Sequence, residues 1–185
     1  MEKPKSLAEL KITMSRVITV QRTKILEKKD LNAQYLNYSD FVNICDTVKD
    51  TWRNLMNDND VPRTIEGVCC LTLAAVAPGL KEKAKLIAQA QATVAGVAGI
   101  AAIIGAVGMA LGWGTGVIGA VTAFFCGAPI AGPIGLLAGG ALLAAIAAYF
   151  AIKSNNEAEM AEKAEKILRD GLDKALEGLW ELHNS

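Results

Sequence analysis

Few side chains in this sequence have the type and spacing that catalysis requires. His183 is the only histidine, so there is no Ser-His-Asp triad and no histidine pair that would bind zinc. Paired carboxylates occur only where helical periodicity predicts solvated faces, and the phosphate-binding pattern GxxxxGK[ST] does not occur. We therefore expect the protein not to be an enzyme and to need neither a metal nor a cofactor.

Two short segments partly match known ligand-binding motifs. Residues 114–119 read GTGVIG and match GxGxxG, but no alternating strand precedes them and the next acidic residue is Glu157, which argues against a dinucleotide site. Residues 57–60 read NDND but lack the glycine and closing glutamate of a calcium-binding EF-hand loop, so we expect a turn with Asx hydrogen bonds. The four cysteines form no CxxC pair and are expected to be reduced thiols.

The dominant feature of the chain is a run without charge. Residues 86–152 are 67 consecutive positions without Asp, Glu, Lys, Arg or His, and they contain 13 of the 17 glycines. A transmembrane helix needs roughly 20 apolar residues, so the run predicts a Gly/Ala-rich transmembrane hairpin with crossings at about 87–111 and 134–152. Residues 112–133 contain two prolines flanked by glycines, and we leave open whether they form a loop or a re-entrant segment.

Small and polar residues within this run are candidates for packing and for contact with water. Glycines spaced by three or four residues let helices approach closely in lipid, and the predicted helix-packing positions are Gly105, Gly108, Gly112 and Gly116. The few side chains able to face water in a pore are Gln89, Gln91, Thr93, Thr115 and Thr122. Because the run carries no charge, we expect weak ion selectivity.

Basic residues flank the run on both sides. Lys81, Lys83 and Lys85 precede it, Lys153 follows it, and the predicted connection between the crossings has no Lys or Arg. The positive-inside rule then places both termini in the cytoplasm. We also expect neither a cleavable secretory signal nor a lipid anchor.

The flanking regions, 1–85 and 153–185, have the periodicity of amphipathic helices. Helices are predicted over about 6–29 with a Ser6/Glu9 capping box, from near Ser39, from a Thr64 cap to about residue 76, from about residue 80, and from Glu157. Residues 1–29 hold eight basic and three acidic side chains, which suits anionic headgroups, RNA or a solvated bundle face. With a net charge of zero, no direct nucleic-acid site is predicted.

The layout of the chain resembles a known family. Its helical front, Gly/Ala-rich hairpin and acidic helical tail, with the segments MEKPKSLAEL and VAGVAGIAAIIGAVGMALGWG, resemble the small accessory membrane proteins of type VI-B CRISPR systems. The resemblance implies a bacterial inner-membrane pore linked to antiviral defence, with the RNA-guided ribonuclease effector or its RNA products as partners. That family carries a divergent HEPN-like element, whose ribonuclease form needs Arg and His about four to six residues apart. The nearest arginine preceding His183 is Arg169, so the resemblance implies permeabilisation rather than RNA cleavage.

The sequence thus predicts an all-α membrane protein that forms a homo-oligomeric pore in the lipid bilayer. Several copies are needed because one apolar hairpin cannot enclose water. Two alternatives stay open: a non-conducting membrane anchor for a helical interaction module, and a colicin-like toxin that hides its hairpin until it inserts.

Overall fold

A computed structural model of the chain describes residues 3–29, 35–126 and 156–184. These residues form helices and no strands, which confirms the all-α class. The helices are α1 (Leu7–Leu26), α2 (Tyr38–Met56), α3 (Arg63–Val76), α4 (Gly79–Val94), α5 (Ile100–Leu111), α6 (Thr115–Phe125) and α7 (Glu157–Asn184). The predicted second crossing, 134–152, and Lys153 lie outside the described residues.

Side-chain caps fix the starts of the polar helices. The Ser6 hydroxyl accepts from the Glu9 N–H at 3.2 Å, which confirms half of the predicted capping box, whereas the Glu9 carboxylate accepts from the Lys5 N–H at 2.7 Å. Asn37 and Asp40 form a complete capping box at the start of α2. These caps satisfy N–H groups that have no partner inside the helix.

The predicted Thr64 cap is wrong. Pro62 occupies the N-cap position of α3 and offers no side-chain hydrogen bond, so Thr64 is the second residue of the helix. Proline locks its own φ near −65°, and Pro62, with φ of −57°, lies directly before Arg63. The helix starts two residues earlier than the hydroxyl pattern suggests.

The predicted continuous helix over 87–111 is divided in two. Helix α4 ends at Val94 and α5 begins at Ile100, because Gly96 and Gly99 have left-handed backbones with φ of 73° and 84°. Only glycine adopts such φ values without steric cost. Of the helices in the described ranges, none combines the length and the apolar content that a bilayer crossing requires.

The core lies between α7 and the helices that surround it. Helix α3 packs against α4 and α7, α5 packs against α7, α6 packs against α5, and α1 contacts both α2 and α7. One face of α7 contributes an apolar stripe at helical spacing: Ala161, Ala164, Ile167, Leu168, Leu172, Ala175 and Leu176. The C-terminal helix thus holds together the polar front of the chain and the described part of the charge-free run.

Ion pairs join α1 to α7 along a polar seam. Lys11 binds Asp173 at 2.9 Å and Glu177 at 2.7 Å, and Arg22 binds Glu165 at 2.8 Å. Part of the basic surface predicted for α1 therefore serves contacts within the chain.

Candidate functional site

The most unusual surface of the described structure is the outer side of α5, α6 and the turns beside them. Every exposed position between residues 92 and 126 is Ala, Gly, Val, Met, Thr or Cys. We call these exposed positions the uncharged face. Met109 is 68% exposed and Val117 is 44% exposed, so large apolar side chains of this face stand in contact with solvent.

The opposite side of α5 is fully packed. Ile103, Ile104 and Val107 are at most 1% exposed, and α5 packs mainly against α7. Burying such side chains contributes roughly 1.5–3 kcal/mol each. Helix α5 is therefore anchored on one side by the apolar stripe of α7 and carries no charge on the other.

The four predicted packing glycines are placed in three different settings. A Cβ at Gly108 would lie 2.6 Å from Ile118 Cγ1 and 3.1 Å from Trp113 Cε3, so α5 and α6 approach closely at this residue. Gly105 and Gly116 have open space where a Cβ would lie, and Gly112 ends α5 with φ of 69°. Packing of these glycines between copies of the chain stays a prediction.

The predicted pore-lining side chains are spread over α4 and α6. Gln89 and Thr115 are exposed, and Thr93 and Thr122 are half-buried. The Gln91 amide donates to the Phe124 carbonyl at 3.4 Å, which links α4 to α6. A role of these five residues in lining a pore stays a prediction.

The three lysines before the charge-free run do not share one environment. Lys81 and Lys85 are exposed, and Lys85 pairs with Glu82 at 3.6 Å. Lys83 is only 4% exposed, and its ammonium donates to the Ala74 and Ala75 carbonyls, each at 3.1 Å. Burial lowers the pKa of Lys83.

The interior position of Lys83 follows from helical geometry. Residues two apart lie about 200° apart around a helix, whereas residues four apart share a face. Lys81 and Lys85 therefore face one way and Lys83 the other, towards the last carbonyls of α3. The spacing of the three lysines, predicted together as membrane-flanking residues, already contained this signal.

The NDND segment, the GxGxxG match and the cysteines have ordinary structural roles in the described residues. Asp58 Oδ1 accepts from the Asp60 N–H at 3.0 Å, which confirms the predicted Asx turn. Residues 114–119 begin α6 and follow helix α5. The four cysteines are free thiols, and within the described ranges no group of three or more His, Cys, Asp or Glu could hold a metal ion.

Comparisons of the chain with protein-family models, curated proteins and solved structures find no match. The uncharged face is therefore the feature from which a function can be argued.

Proposed function

We propose that the protein is a membrane-inserting helical protein. The polar helices hold α5 and α6 at the surface, and the charge-free run enters a lipid bilayer. The observation that carries this proposal is the uncharged face, where solvent-exposed helical positions carry no charged side chain over residues 92–126.

A bilayer explains the composition of this face. A charged side chain at the centre of a membrane costs about 2.5–3.5 kcal/mol on insertion scales and more in simulations, so an inserting surface must be free of charges. A surface designed only for water has no reason to exclude Lys and Glu from every exposed position of two helices. Small residues also let helices pack closely once they are in lipid.

The helix lengths indicate how insertion would proceed. At about 1.5 Å per residue, the 12 residues of α5 and the 11 residues of α6 extend about 18 Å and 17 Å, less than the roughly 30 Å of a hydrocarbon core. If the turn between Val94 and Ile100 became helical, residues 87–111 would form one helix of about 38 Å. The proposed insertion step is therefore the straightening of this turn.

Several inserted copies would be needed to conduct ions. A helix satisfies its own backbone hydrogen bonds and presents apolar side chains to its surroundings, so a water-filled path has to lie between copies. We accordingly propose a homo-oligomeric pore. The inner-membrane location, the CRISPR association and the effector or RNA partners stay predictions from the resemblance.

Dye-loaded vesicles of anionic lipid test the proposal. Met109→Lys places a charge on the uncharged face at a site that is already 68% exposed, and Ile12→Lys is the matched control on α1, where Ile12 is 59% exposed. We expect wild type and the Ile12→Lys variant to release dye, and the Met109→Lys variant to release it at least about tenfold more slowly, because the added charge opposes insertion.

Equal release by the two lysine variants would contradict the role of the uncharged face. Binding of the wild type to vesicles without any dye release, at every protein density, would instead support the non-conducting anchor.

A further inference from the structure

A cavity of about 370 Å³ lies at the junction of α3 and α4, beside the starts of α2 and α7. Its walls are mainly apolar and aromatic, and they include Leu36, Ala77, Met160 and the rings of Tyr35 and Tyr38. This volume falls within the range of about 300–1,000 Å³ that is usual for small-molecule sites. The cavity has no wall from α5 or α6, so it is separate from the uncharged face.

Lys83 places a buried ammonium at the wall of this cavity. The residue is 4% exposed and lines the cavity, as does Ala75, whose carbonyl accepts from Lys83 Nζ at 3.1 Å. A second N–H of the ammonium donates to the Ala74 carbonyl, also at 3.1 Å. An ammonium has three N–H donors, so one remains for a further partner. Lys83 borders the cavity in the same rotamer that makes these two bonds.

The charge of Lys83 has no carboxylate partner in the part of the chain that the structure describes. Both of its acceptors are neutral carbonyls, and the neighbouring Glu82 pairs with Lys85 instead. Burial lowers the pKa of Lys83, and no carboxylate opposes this effect by favouring the charged form. Because a buried ion without a counter-ion is costly, an anion that enters the cavity would be stabilised there.

The carboxylate among the lining residues, that of Glu157, does not offset this attraction. Its Oε2 accepts from the Tyr35 hydroxyl, and this bond raises the pKa of Tyr35. Glu157 is exposed, so water and salt screen its repulsion of an anion. The ammonium of Lys83 is buried and is therefore screened much less.

We infer that this cavity binds a small carboxylic acid with an apolar body. The carboxylate would accept from the Lys83 ammonium and neutralise the buried charge, while the carbon chain or ring would lie against the apolar and aromatic walls. A hydrogen bond between two charged groups is about twice as strong as one between neutral groups, so the site should select a carboxylate over the corresponding amide. This binding requires no insertion into a bilayer.

Calorimetric titration of the full chain with hexanoate and with hexanamide tests this site. The two probes share one carbon chain and nearly one shape, and only hexanoate is charged at pH 7. We expect wild type to bind hexanoate at least about tenfold more tightly than hexanamide. Lys83→Met removes the ammonium and should abolish this preference. Lys81→Met, at an exposed lysine that does not line the cavity, is the control and should keep it.

Leu80→Glu gives a second test at a position that tolerates a charge. Leu80 lines the mouth of the cavity and is 49% exposed, so the variant should fold as wild type does. Its carboxylate would repel hexanoate and compete for Lys83. We expect hexanoate to bind at least about fivefold more weakly and hexanamide to bind as it does to wild type.

Three results would overturn the inference. They are equal affinity of wild type for the two probes, binding of neither probe, and a preference for hexanoate that survives in both Lys83→Met and Leu80→Glu. Replacing a buried ion by an apolar side chain is often neutral or stabilising, so we expect Lys83→Met to fold, which its thermal unfolding checks. If it does not fold, Leu80→Glu decides alone.

Discussion

Gly108 and Gly105 lie three residues apart on α5 and have opposite surroundings. A methyl group at Gly108 would meet Ile118 Cγ1 at 2.6 Å, whereas one at Gly105 would meet nothing within 4 Å. Both substitutions by alanine gain the same helix propensity, about 1 kcal/mol, but only Gly108→Ala overpacks the contact between α5 and α6, at a cost of about 1–3 kcal/mol. The overpacked variant should therefore be the less stable by that cost.

Urea unfolding of the two variants measures this difference directly. Because the propensity gain cancels between them, the difference in their unfolding free energies reports the contact of α5 with α6. Equal stabilities would mean that this contact is absent in solution.

Glu177 gives the polar seam a dependence on pH. Its hydrogen bond to Lys11, and then that to Lys174, lower the pKa of the carboxyl from 4.5 to about 2. A folded pKa below the unfolded one means that the stabilisation is complete above about pH 4.5 and is lost as the pH falls towards 2. Acid therefore weakens the attachment of α1 to α7.

Glu177→Gln should remove this part of the pH dependence. We expect the free energies of unfolding of wild type and variant to differ at pH 6 and to converge between pH 4.5 and 2. Urea titrations across that range provide the measurement. A difference that stays constant with pH would show that the pair contributes no pH-dependent stability.

Among the elements, the helices outside the charge-free run were predictable and those that begin within it were not. Helices α1, α2 and α7 show apolar residues at helical spacing with polar residues between them, so one face is determined by sequence. The charge-free run has no such contrast. Glycine there is compatible both with a straight helix in lipid and with a turn in water, and packing against α7 decides between them.

The uncharged face was likewise predictable only in part. The absence of charge from the run was visible in the sequence, whereas the face that stays exposed depends on how α5 packs on α7. The start of α3 was not foreseeable either, because Thr64 matched the pattern of a helix cap whereas Pro62 occupies that position.

The turn between α4 and α5 is where sequence and structure differ most, and it provides a test of insertion. Alanine at Gly96 and Gly99 costs about 1–2 kcal/mol per residue in the left-handed conformation and favours the helix by about 1 kcal/mol. The double variant should therefore favour a continuous helix over 87–111 and release vesicle dye faster than wild type.

Gly79→Ala is the control for this double variant. Gly79 also has a positive φ, 74°, and open space around it, but it precedes the charge-free run. The control should lose stability in water without a gain in dye release. Faster release by both variants alike would attribute the effect to general destabilisation.

At the scale of the whole molecule, the described structure has a region rich in charged side chains and a separate region that has none. Ion pairs join α1 to α7 on one side, and the uncharged face covers α5 and α6 on another. The two regions share α7, whose apolar stripe holds α5. A bilayer that competes with this stripe for α5 would release the apolar helices while the polar seam keeps the front of the chain together.

Cys126 can report whether such a release occurs. It lies exposed at the end of α6, whereas Cys45 and Cys69 are buried, and burial raises the pKa of Cys70 to about 11. Because the thiolate is the reactive form, a membrane-impermeant maleimide at pH 7 should label Cys126 first in water.

Anionic vesicles should then slow this labelling at least about tenfold for wild type and for Ile12→Lys, but not for Met109→Lys, whose added charge opposes entry into lipid. Peptide mass spectrometry after timed labelling provides the measurement. Labelling of wild-type Cys126 at the same rate with and without vesicles would show that α6 stays in water and that the uncharged face serves another partner.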